Sequence, residues 1–123
     1  MHEIHINKSK NRLYFTLGKI EDNKEMRDII HKTETAVKDL IQGFSCLSDL
    51  RTYDNPDKKD EFIKVVQEIL WDSRIGLVVR VKDKNSKSPC FSFEENTVLW
   101  PAYRVKEAES MVVAESMLDM FFA

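Results

Sequence analysis

The residues of this chain able to do chemistry concentrate in two polar stretches. Asp49, Arg51, Tyr53, Asn55, Asp57 and Lys58 follow one short apolar run, and Lys82, Lys84 and Ser86 follow another. Together they offer acids, cations, a phenol, an amide and a hydroxyl. Gathered at the start of a helix, where free backbone N–H groups favour negative charge, such a set suits an anionic ligand or a charged partner surface. Turns collect polar residues for conformational reasons too, so the set becomes a site only if the fold brings it together.

Nothing else in the sequence carries a catalytic pattern. GxSxG, HExxH, GxxxxGK[ST] and GxGxxG are all missing, and Gly18, Gly43 and Gly76 are the only glycines, too few and too scattered for a phosphate-cradling loop. No enzyme activity and no cofactor is expected. His2 and His5 fall on opposite faces of an alternating segment and read as solvent-facing residues rather than a metal pair. Cys46 and Cys90 have no zinc or redox spacing. Cys46 reads as a small core residue and Cys90, after Pro89, as a loop residue.

The elements that must position the polar stretches follow from periodicity. His2 to Lys8 and Arg12 to Ile20 alternate, with Leu13, Phe15 and Leu17 on the inner face, which predicts a hairpin turned at Ser9-Lys10-Asn11. Asp22 and Glu25 have capping-box spacing, and the helical period that follows runs to Gly43. Phe44, Cys46 and Leu47 open a strand covered on both faces, which Asp49 ends. Asn55-Pro56 signals a helix start, and Phe62, Val65, Val66, Ile69 and Leu70 form its apolar stripe to Asp72, with Lys64, Gln67 and Glu68 on the polar side. Arg74-Ile75-Gly76 closes that helix before a second β-prone run, Gly76 to Lys82. A polar loop to Pro89, a short helix over 93–99, a strand over 103–106 and a terminal helix from Met111 to Phe122 complete the order. The order β-β-α-β-α-β-α-β-α predicts an α/β fold with a mainly parallel sheet and an opening hairpin. The terminal helix is more apolar than one buried face requires. Met117, Met120, Phe121 and Phe122 are therefore candidates for a homodimer contact.

At 123 residues the chain makes a single domain over 1–123, long enough to bury roughly two thirds of its unfolded surface. The formal net charge of -2, with acids and bases interleaved, argues against nucleic acid as the main partner. No apolar run approaches the roughly 20 residues of a membrane span, and the amino terminus lacks the basic start and apolar core of a signal peptide. A cytoplasmic location is the expectation.

The order of elements, together with Asn11-Arg12-Leu13-Tyr14-Phe15-Thr16-Leu17-Gly18, the stretch from Gly43-Phe44 through Ser48-Asp49-Leu50, and Gly76-Leu77-Val78-Val79-Arg80-Val81, resembles the STAS domains of anti-sigma factor antagonists, and more closely the small stand-alone bacterial SpoIIAA-like proteins. The resemblance spans nearly the whole chain and rests on patterns of moderate specificity. It implies a STAS-like fold and a non-catalytic regulatory module that docks on a protein partner. In that family a kinase phosphorylates a Ser at the start of the helix after the third strand. The matching turn here, Asp54-Asn55-Pro56-Asp57-Lys58-Lys59, carries no Ser or Thr, so the phospho-switch is not implied. An alternative reading, drawn from other α/β folds such as CRAL-TRIO domains, is a small-ligand or lipid binder with a pocket at the carboxyl ends of the strands.

Overall fold

The computed structural model describes residues 1–55, 61–82 and 104–121, with Arg104 and Phe121 described for backbone only. Its elements are β1 (His2–Asn7), β2 (Arg12–Leu17), α1 (Asn23–Val37), β3 (Ser45–Asp49), α2 (Glu61–Asp72), β4 (Leu77–Val81), β5 (Arg104–Ala108) and α3 (Met111–Phe121). The strands form one mixed sheet in the order β1-β2-β3-β4-β5. β1 is antiparallel to β2, and every later pair is parallel. The expected helix over 93–99 and the turn from Pro56 to Lys59 lie outside the described residues.

Side-chain alternation divides the core in two. Leu13, Phe15, Leu17, Cys46 and Val78 point to one face, where α1 and α2 bury Met26, Ile29, Phe62, Val66 and Leu70 against them. Leu47, Leu77, Val79 and Val81 point to the other, where α3 packs Ala114 and Leu118. All of β4 and all but the last residue of β3 are buried. Their apolar runs therefore read as doubly covered parallel strands, as expected. The β2–α1–β3 and β3–α2–β4 crossovers step the same way across the sheet and put both helices on one face.

Several expectations change. Helix α1 starts as predicted, with Asp22 Oδ1 accepting from Glu25 N at 2.8 Å. It ends at Val37 and not at Gly43. The Asn11 side chain donates to Ile41 O at 3.0 Å and accepts from Ile41 N at 2.8 Å, taking both backbone groups that a longer helix would use. Gly43, at φ 90, still makes the turn into β3. Helix α2 closes within Arg74-Ile75-Gly76 as expected, with the left-handed residue being Arg74, at φ 65. Arg74 N donates to Trp71 O and Ile75 N to Leu70 O, the paired bonds of a Schellman ending, with Ile75 and Leu70 both buried. Gly76 has a different task. A Cβ there would lie 2.8 Å from Gly43 O, because Gly76 N donates to Phe44 O where the two segments abut.

Helix α2 also faces the sheet one step round from its predicted stripe. Its buried residues are Phe62, Ile63, Val66, Gln67 and Leu70. Val65 is exposed and Gln67, expected on the polar side, is inside. On α3, Met117 is half-buried and Met120 is 83% exposed, as are Val112 and Val113 to lesser degrees. The side chain of Phe121 and all of Phe122 lie outside the described residues.

Candidate functional site

The polar stretch after β3 folds into a fixed loop at the carboxyl end of the sheet. Asp49 Oδ1 accepts from Arg51 N at 3.1 Å and from Arg51 Nε at 3.0 Å, while Oδ2 accepts from Nη2 at 2.9 Å. Burial alone would raise the Asp49 pKa. The Arg51 hydrogen bonds and charge outweigh it and hold the carboxyl below its usual value. The loop is then tied to the segment after β2: Asp54 N donates to Gly18 O at 3.2 Å, and Ile20 N donates to Asp54 O at 2.8 Å.

That folding-back sorts the predicted site residues. Leu50, Tyr53 and Asn55 turn inward and are buried, Tyr53 within the core cluster. Arg51, at 36% side-chain exposure, faces water with Thr52 and Asp54. Tyr53 and Asn55 are thus structural residues of the loop, a correction to their expected place on the surface. Lys82 follows β4 and reaches Glu107 of β5 at 3.8 Å. It does not join the Asp49–Arg51 pair. Asp57, Lys58, Lys84 and Ser86 lie outside the described residues.

Two polar clusters were not foreseen. At the amino end of the parallel strands the Arg12 side chain, only 1% exposed, donates to Ser45 Oγ at 3.3 Å, pairs with Glu115 Oε2, and lies 3.1 Å from Asp119 Oδ1. Burial opposes the charge on Arg12, but hydrogen bonds with Tyr14 and Asp119 and the Glu115 charge reverse the effect and raise its pKa. The Tyr14 phenol is pushed up by burial first and by Glu115 second. His5 stacks on Tyr14 with ring centroids 4.7 Å apart. On the opposite face, Glu25 takes the terminal ammonium at 2.6 Å and His2 Nδ1 at 2.7 Å. Lys32 Nζ lies 3.0 Å from His2 Nε2. An ammonium has only protons to give, so Nε2 accepts and Nδ1 carries the proton shared with Glu25. His2 is therefore a half-buried positioning group and not the solvent-facing residue expected.

A third feature lies between the sheet and α2. A cavity of about 40 Å³ is walled by apolar side chains that include Leu17, Leu50, Ile63 and Val66, with Ser48, Gln67 and Arg80 as polar members. Gln67 is 4% exposed, and among the described residues neither its Nε2 nor its Oε1 has a hydrogen-bond partner. Among the described residues no group of three or more His, Cys, Asp or Glu is placed to hold a metal ion. Among the same residues, no helix is long and apolar enough to cross a membrane.

The chain is thus an α/β protein with a five-stranded mixed sheet and, among the described residues, three helices. Compared with protein-family models, with curated proteins and with solved structures, it matches none.

Proposed function

We propose that this chain is a non-catalytic protein-interaction module similar to the SpoIIAA-like STAS proteins, docking a partner on the loop that leads from β3 towards α2. The observation that carries the reading is the sorting of residues 50–55. Leu50, Tyr53 and Asn55 anchor the loop inward, and Arg51, Thr52 and Asp54 are held outward. A polar surface fixed in advance loses little conformational entropy on association, which favours docking. The opening antiparallel hairpin and the sequential parallel order of β2 to β5 support the STAS-like reading of the fold.

Among the described residues, the cavity beneath α2 does not supply the pocket of the competing reading. Ligand pockets run from roughly 300 Å³ upward, whereas the cavity beneath α2 holds about 40 Å³. A lipid chain does not fit there. Affinity purification with wild-type protein and with Arg51→Ala tests the proposal. The variant is expected to retain its circular dichroism spectrum and to recover a specific partner at least tenfold less well. Equal recovery of the same partner by a folded variant refutes docking on this loop.

A further inference from the structure

We infer that the cavity beneath α2 is an internal hydration site, in which one to three water molecules bridge Gln67 to the polar groups that share its wall. The argument starts from the amide. Gln67 has two donors and an acceptor to satisfy, is only 4% exposed, and among the described residues finds no hydrogen-bond partner for Nε2 or Oε1. Buried amides in folded proteins nearly always have partners, protein or water. The space beside this one decides which.

Cavities that stay dry are lined by apolar groups alone, and a water needs roughly 10–15 Å³ and two to four polar partners. Here about 40 Å³ is available, and Ser48 and Arg80 line the same space as Gln67. The hydroxyl both gives and accepts, and the guanidinium gives. Alternation supports the arrangement: Ser48 and Arg80 are register partners on adjacent parallel strands, on the face that α2 covers. A water there can accept from Arg80 or the Gln67 amide and donate to Gln67 Oε1 or Ser48 Oγ. The remaining walls, such as Leu17, Ile63 and Val66, offer nothing polar on their side chains.

The ligand of this site is therefore water, and the site belongs to the underside of the helix that follows the outward-facing loop. Magnetic relaxation dispersion of the water oxygen counts long-lived internal waters in solution. The wild-type protein should show a dispersion step that falls by one to three molecules in Gln67→Leu. Gln67→Met serves in parallel should the leucine variant not fold. In the unsubstituted protein, the Gln67 side-chain amide protons should give rotating-frame cross-peaks to water. An unchanged step in a folded variant, or amide protons with no such cross-peak, overturns the assignment. Xenon binding in the wild-type cavity would also overturn it, because a dry apolar void is the competing state.

Discussion

Replacing Arg12 by Met should loosen α3 from the sheet. Met keeps much of the apolar stem and removes the guanidinium, so the loss is read in hydrogen bonds and charge more than in volume. Two partners set the magnitude. Ser45, 1% exposed, is left buried without its donor, and an unsatisfied buried hydroxyl costs about 1–3 kcal/mol. Glu115 loses its nearer cation and keeps only Lys10, at 3.8 Å. Breaking a fully buried pair costs about 3–5 kcal/mol, but Glu115 keeps 30% of its side-chain surface in water and can rehydrate, so its share falls to about 1 kcal/mol. The sum is about 2–4 kcal/mol at pH 7. Urea denaturation followed by circular dichroism measures it, and hydrogen exchange over residues 111–121 locates it. A double-mutant cycle with Glu115→Ala isolates the pair, with an expected coupling of about 1–2 kcal/mol. Effects that add to within about 0.3 kcal/mol would show that this contact is geometric and carries no energy, and the reasoning would fail.

Two further outcomes follow from local geometry. Glu25 is subject to burial, which raises its pKa, but hydrogen bonds from the terminal ammonium and His2 prevail and lower it to about 2 from 4.5. A depressed carboxylate stabilises the folded state above the unfolded value, and that contribution disappears as pH falls from about 5 towards 2. The ammonium is exposed and screened, so the contribution is on the order of 2 kcal/mol. Urea midpoints of wild type and Glu25→Gln should converge across that window; parallel curves would refute the assignment. Arg74 holds a left-handed conformation at an exposed helix end. Relief of about 1–2 kcal/mol of strain, less about 0.4–1 for the freer unfolded chain, leaves Arg74→Gly more stable by about 0.5–1 kcal/mol. A lower melting temperature would contradict it.

The parts of the fold set by local chemistry were legible, and those set by distant contacts were not. Phe44 to Asp72 and Gly76 to Lys82 declare two covered strands and an amphipathic helix through residue type alone, and β3 and β4 do lie side by side and parallel. Asp22 and Glu25 mark the start of α1 because a cap is a four-residue event. Its end is decided by Asn11, thirty positions away, whose amide captures Ile41. In α2 the apolar spacing sets a stripe but not its phase. Ile63 and Val65 flank it from either side, and the helix turned towards Ile63, carrying Gln67 inward. The site divides in the same way. Asp49 and Arg51 are two residues apart and meet. Tyr53 and Asn55 were drawn inside as Gly18 and Ile20 captured the backbone of Asp54, which no spacing rule records.

The two ends of the sheet therefore carry separable duties. Arg12 opens β2 beside Ser45, and Asp49 closes β3 beside Thr16. Five residues of extended chain put roughly 13–17 Å between the two ends, beyond the 7–10 Å over which substitutions usually couple. The ion pairs that seat α3 lie at the amino end, on the face opposite α1 and α2. The outward loop lies at the carboxyl end, pinned by backbone bonds to Gly18 and Ile20 that involve no residue of α3. A partner that docks on Arg51 should consequently be recovered by Arg12→Met at temperatures where that variant stays folded. Loss of binding by Arg51→Ala, with Arg12→Met unaffected, separates recognition from stability. Loss in both would mean that the two ends are mechanically joined through β2 and β3.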